Sequence, residues 1–148
     1  MSLQDLLAEN RLRSHKPTPQ EVTELLGVVD RDLASATVAQ LPPDVRFPLA
    51  YGAAAALATI VLAAAGYRTA GLGHHHTLFE ALPYVLGAEV DVRARYLDRC
   101  RSKRNIAEYV RAGGISESDV AKLIEEVQTF RADVLDWLRA RHPELGQT

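Results

Sequence analysis

Arginine, asparagine and tyrosine recur at a spacing that would place them together on one helix. Arg101, Asn105 and Tyr109 follow at four-residue intervals, and Arg104 lies directly beside that row. Residues four apart project from the same face of an α-helix, so these side chains would form one stripe. A guanidinium group matches phosphate oxygens, asparagine adds hydrogen bonds, and a tyrosine ring can stack on a base. The stripe and neighbouring Lys103 therefore predict a binding site for a nucleotide or RNA.

The charge distribution along the chain favours an anionic ligand for the same segment. From Arg93 to Arg111 there are seven basic and two acidic residues, a local net charge of +5 in a chain whose overall charge is −2. This is the segment to which an anion would be attracted. Composition alone leaves an alternative, in which the arginines pair with Asp98 and Glu108 while Tyr109 packs inside the protein.

The elements that must position this stripe are all predicted to be helices. Thr18 is a suitable N-cap with Pro19 after it, and Ser116 caps the last helix. Gly66 and Gly87 suit helix ends, and no stretch alternates as a strand does. The predicted helices cover about residues 18–36, 44–65, 74–87, 89–109 and 116–141. These predict one all-α domain over residues 1–148, an antiparallel four- or five-helix bundle with its core at about 18–141 and short flexible termini.

Cysteine content and hydropathy favour a cytoplasmic protein. Cys100 is the single cysteine, so an intramolecular disulfide is excluded and a reducing compartment is the simpler interpretation. The N-terminal residues do not form a typical secretory signal, and the most apolar run, Ala53 to Ala65, is short for a membrane span. We therefore expect no contact with a membrane.

Three consecutive histidines, His74 to His76, are the one feature that suggests a metal. Consecutive residues at a helix start point in different directions, so at most two of them could share an ion without a distant ligand. A capping or loop-ordering role is favoured, and neither a metal nor a cofactor is expected.

The order and spacing of several short motifs resemble the HEPN (higher-eukaryote-and-prokaryote nucleotide-binding) family, in particular a small bacterial branch of it. The resemblance covers about residues 18–141 and is carried by Tyr51 with the alanine-rich helix after it, Gly66-Tyr67-Arg68, Gly73-His74-His75, and Arg101-Ser102-Lys103-Arg104-Asn105 with Tyr109. It implies an antiparallel helical bundle, commonly a homodimer. It also implies pairing with a nucleotidyltransferase in a toxin–antitoxin or defence module.

The motif of catalytic family members is incomplete in this chain. Those members cleave RNA with an arginine followed, after four to six residues, by a histidine on the same helix. Counting from Arg104 puts Tyr109 at the histidine position, and counting from Arg101 puts Ala107 there, with Tyr109 where some members carry a tyrosine that the partner modifies with AMP. A tyrosine is a poor base at neutral pH. Arg68 and His74 satisfy the spacing, but in a predicted glycine-containing loop, so we interpret that match as coincidence or as loop structure.

Three functional hypotheses follow. The first is a module that binds a nucleotide or RNA through Arg101, Lys103, Arg104, Asn105 and Tyr109, with little or no ribonuclease activity. The second is an active metal-independent endoribonuclease with a variant site, for which Arg104 and Tyr109 are the candidate catalytic residues. The third is a structural dimeric interaction module.

Overall fold

The chain folds as a bundle of α-helices with one very short antiparallel sheet, which confirms the all-α prediction. The computed structural model describes the backbone of residues 1–109 and 114–145, and the side chains of residues 1–105 and 114–145. In chain order the elements are α1 (Leu3–Ala8), β1 (Leu12–Ser14), α2 (Pro19–Ala36), α3 (Pro43–Ala64), β2 (Tyr67–Thr69), α4 (His74–Leu86), a 3-10 turn (Ala88–Val90), α5 (Asp91–Tyr109) and α6 (Glu117–Arg141).

Helix α3 is the centre of the molecule and packs against α2, α4, α5 and α6. Its alanines, among them the fully buried Ala54 and Ala58, carry so little side-chain bulk that neighbouring helices can approach closely. By length and composition α3 could cross a membrane, although the run Ala53–Ala65 alone was expected to be too short. The rest of the protein buries 78% of its most apolar 18-residue window. Most of the apolar surface of α3 is therefore covered by protein.

Local signals set the helix ends close to the predicted positions. The Thr18 hydroxyl accepts a hydrogen bond from the Glu21 amide at the start of α2, with Pro19 in the first turn. Ser116 and Asp119 form a reciprocal capping box at the start of α6. Gly66 follows the end of α3 with φ of 97°, a conformation that favours glycine.

The first seventeen residues and the segment after α3 differ from the sequence-based expectation. Tyr67–Thr69 was predicted to be loop, but it pairs with β1, with Arg13 opposite Arg68. Leu6 and Leu12 are almost completely buried, so the core begins well before residue 18. Both strands have three residues, which is too short for an alternating pattern to be recognised.

Helix α5 turns one face toward the core and carries exposed basic side chains such as Arg95 and Arg99 on the others. Ala94, Leu97 and Cys100 form the buried row. Arg101 and Arg104 continue this row toward the end of the helix, since each lies four residues after a buried residue, Leu97 and Cys100 respectively.

Candidate phosphate-binding site

Arg101 and Arg104 lie on neighbouring turns of α5, at the place where this helix meets α3 and α4. The Arg104 guanidinium carbon is 5.5 Å from the centre of the Tyr51 ring, a distance at which a cation is attracted to the face of an aromatic ring. Tyr51 belongs to α3 and is almost fully buried. A rigid core residue therefore holds one of the two arginines that the sequence predicts to bind phosphate.

The first turn of α4 adds histidines to the two arginines. The Tyr51 hydroxyl lies 3.0 Å from Nδ1 of His75, and the ring of His74 packs edge-on against that of His75 at 4.3 Å. Tyr51 thus contacts both the Arg104 guanidinium and the His75 imidazole. The sequence analysis placed the arginines in a binding site but gave these histidines only a loop-ordering role. Their neighbourhood depends on the packing of α4 against α5, which no local spacing reveals.

Burial and the nearby arginines set the charge states at this site. Burial raises the pKa of the Tyr51 phenol above its ordinary value, although the positive charges of Arg104 and Arg101 act in the opposite direction. Burial also lowers the pKa of His75, and His74 and the two arginines lower it further. At neutral pH the site therefore combines two permanent cations with a protonated phenol and an uncharged imidazole.

Arg101 is positioned by a carboxylate, as the alternative interpretation of the sequence anticipated. Its Nε donates to Oδ1 of Asp98 at 2.9 Å, and Nδ1 of His76 lies 3.1 Å from the same oxygen. Burial opposes ionisation of Asp98, but the hydrogen bonds from Arg101 and His76 prevail and hold its pKa below the usual value. The described contacts of Arg101 use Nε alone, so its two terminal nitrogens remain available to a ligand.

A chain of charged contacts continues from this carboxylate to the N-terminal segment. Nε2 of His76 lies 3.1 Å from Glu80. Glu80 in turn accepts two hydrogen bonds from the Arg11 guanidinium, at 2.7 and 3.2 Å. Arg11 immediately precedes β1, so ionic contacts connect the first strand with Arg101 through α4 and α5.

The remaining predicted site residues do not all join the two arginines. Lys103 lies on another side of α5, where its ammonium group pairs with Asp119 at 3.0 Å. Asn105 is partly buried on α5. Tyr109 ends the helix, but its side chain lies outside the described residues.

The histidine run diverges, as its sequence indicated. His75 contacts Tyr51 on α3, whereas His76 contacts Asp98 on α5. In the described part of the chain, no three histidine, cysteine or carboxylate side chains are grouped so that they could hold a metal ion. Arg68 is exposed on β2 rather than in a loop.

Comparison with models of known families, with curated proteins and with solved structures gave no match to this chain. The HEPN resemblance therefore stays a prediction. The site itself consists of two guanidinium groups for an anion, next to an uncharged imidazole that can exchange a proton.

Proposed function

We propose that this protein is a HEPN-type helical module that binds RNA or a nucleotide by holding a phosphate group between Arg101 and Arg104. The observation that supports it most is the convergence of the two guanidinium groups with Tyr51 and His75. Arg101 uses only its Nε–H in the contact with Asp98, and an arginine has further N–H donors that a phosphate can accept. The resemblance further suggests a homodimer, a cytoplasmic location and a nucleotidyltransferase partner in a toxin–antitoxin or defence module.

The two arginines are held in ways that reduce the entropy lost when a ligand binds. Asp98 fixes Arg101 through Nε, while the buried ring of Tyr51 lies against the Arg104 guanidinium. Ordering a free arginine costs up to about 2 kcal/mol of side-chain entropy, and part of that cost is already met here. A pre-ordered pair of this kind suits a phosphate better than two mobile surface arginines would.

The test is a titration of short single-stranded RNA and of ATP into the wild-type protein and the double variant Arg101→Ala/Arg104→Ala. A hydrogen bond to a charged group contributes about 1.5–3 kcal/mol, so we expect affinity to fall at least tenfold for both ligands. The slope of log affinity against log salt should also decrease, because fewer counterions are released.

The matched control is Arg139→Ala, which removes an exposed arginine from α6. It should leave both affinities nearly unchanged. If neither ligand binds the wild-type protein, or if the double variant binds as well as wild type, the proposal is wrong.

A second candidate function is metal-independent cleavage of RNA, and the position of His75 favours it. The sequence predicted little or no cleavage because α5 lacks the family histidine, yet α4 brings an uncharged imidazole to the same arginines. When Nδ1 of His75 carries the proton and donates to the Tyr51 oxygen, Nε2 keeps a lone pair. It could accept the 2′-hydroxyl proton as the 2′-oxygen attacks phosphorus, while the departing 5′-oxygen takes a proton from water.

Cleavage is tested with RNA in the presence of a metal chelator. The expected products end in a cyclic phosphate or a 3′-phosphate, and His75→Ala should abolish their formation while RNA binding persists. Intact RNA after hours with the wild-type protein would leave binding as the function. A gain of cutting by Tyr109→His would then indicate a degenerate form of the family site.

A further inference from the structure

A second basic pocket lies on the side of α5 that faces α6. It is an open cavity of about 300 Å³ whose polar and aromatic lining includes Tyr96, Arg99, Cys100, Lys103, Asp119 and Lys122. Tyr96, Arg99 and Lys103 recur at intervals of three and four residues, so they share one face of α5. Arg101 and Arg104 leave the helix in other directions, toward α3 and α4. The two basic clusters therefore occupy different sides of the same helix.

The pocket has three cationic side chains and one carboxylate, and that carboxylate already has other partners. Oδ2 of Asp119 accepts a hydrogen bond from the Ser116 amide at 2.9 Å and pairs with Lys103 at 3.0 Å. The hydrogen bonds from Ser116 and Lys103 keep the pKa of Asp119 below its ordinary value. Asp119 thus stays ionised but engages Lys103, and two positive charges are left over.

Arg99 and Lys122 supply those two charges. Within the described ranges neither side chain has a carboxylate partner, and both are exposed. Instead they contact the Tyr96 ring, with the Lys122 ammonium nitrogen 4.9 Å and the Arg99 guanidinium carbon 5.9 Å from its centre. A cation–π contact attracts the charge but provides no hydrogen-bond acceptor for the N–H groups. The N–H groups of Arg99 and Lys122 can therefore donate to a ligand, and their positive charge favours an anionic one.

We infer that this pocket is a second phosphate-binding site and that it takes the backbone of the same single-stranded RNA that binds at Arg101 and Arg104. The inference rests on the proposed function. An α-helix with its side chains is about 10–12 Å across, so one phosphate cannot contact both sides of α5. A polynucleotide has phosphates at regular short intervals and can contact both sides, whereas a single nucleotide reaches only one. The Tyr96 ring adds an aromatic surface of the kind on which unpaired bases stack.

The experiment compares Arg99→Ala/Lys122→Ala with wild type, using a single-stranded RNA of about twelve nucleotides, ATP and polyglutamate as ligands. RNA affinity should fall about tenfold. The slope of log affinity against log salt should decrease by the equivalent of about one to two phosphate contacts. Binding of ATP at Arg101 and Arg104 should be unchanged. Because both side chains are exposed, the melting temperature should change little, and Arg99→Lys/Lys122→Arg should keep wild-type RNA affinity.

Lys16→Ala/Arg139→Ala is the matched control, since it also removes one lysine and one arginine, both exposed. Unchanged RNA affinity in Arg99→Ala/Lys122→Ala would overturn the inference even if Arg101→Ala/Arg104→Ala loses binding, and the proposed function would then stand alone. An equal loss of ATP and RNA would also overturn it, because the two pockets would not be separate. Loss of polyglutamate binding with RNA affinity intact would assign the pocket to an acidic protein. Failure of the wild-type protein to bind any RNA would also overturn the inference, and failure to bind either RNA or ATP would remove both proposals.

Discussion

At the scale of single residues, the two arginines of the proposed site are held by different kinds of contact. Arg101 is anchored through Nε by a carboxylate, whereas Arg104 lies against the aromatic ring of Tyr51. The first contact is a directional hydrogen bond, and the second is a cation–π contact with a rigid, buried ring. A phosphate in the proposed site would therefore meet two arginines whose side chains are already ordered.

His75 should make the stability of the protein depend on pH. Its pKa in the folded protein is lowered, chiefly by burial, so the unfolded chain takes up the proton first as the pH falls below about 6.5. Stability should consequently decrease over the interval from about pH 6.5 down to the lowered pKa. In His75→Gln this contribution is lost. The free energy of unfolding, measured by urea denaturation, should therefore differ less between pH 7.5 and pH 5.5 than it does in wild type. An equal difference in the two proteins would contradict the assignment, and His142→Gln serves as the control.

Cys100 should be unreactive although arginines flank it in the sequence. Burial raises the pKa of its thiol to about 11, and this outweighs the nearby positive charges of Arg99, Lys103 and Lys122. At pH 7.5 the folded protein should react with iodoacetamide far more slowly than the urea-unfolded protein. Mass spectrometry of the alkylated chain measures both rates, and similar rates would show that the thiol is accessible.

At the scale of secondary-structure elements, the long helices were predictable because their signals are local. The Thr18 cap, the Ser116 capping box and Gly66 each act within a few residues of the boundary that they set. Helix α1 and the two strands were not predicted, since each is short and is held by contacts with distant segments. For the same reason the neighbourhood of Arg101 and Arg104 on α5 was readable from spacing, whereas the approach of His75 to them was not.

Helix α3 should tolerate no increase in side-chain volume on its alanine face. Ala54 is fully buried between neighbouring helices, so Ala54→Leu should lower the free energy of unfolding by about 1–3 kcal/mol. Ala121→Leu, at an exposed position of α6, should change it by less than about 0.5 kcal/mol. Chemical denaturation of both variants measures the difference, and equal stabilities would mean that α3 is not closely packed.

At the scale of the whole molecule, the N-terminal segment belongs to the core of the domain. Leu6 is completely buried, so Leu6→Ala should cost about 2–5 kcal/mol of unfolding free energy. Leu72→Ala is the matched control because its side chain is fully exposed. The denaturant concentration at the unfolding midpoint should be clearly lower for Leu6→Ala than for Leu72→Ala. A wild-type midpoint for Leu6→Ala would show that the first helix adds nothing to stability.

The row of ionic contacts from Arg11 through Glu80, His76 and Asp98 to Arg101 has a consequence for ligand binding. Under the proposed function, substitutions near β1 could tune phosphate affinity through these contacts rather than by touching the phosphate. Replacing Arg11 would release Glu80 toward His76 and thereby alter how firmly Asp98 orients the arginine. The loss of such a distant ion pair would then be measured as weaker binding of the proposed phosphate, with little change in folding.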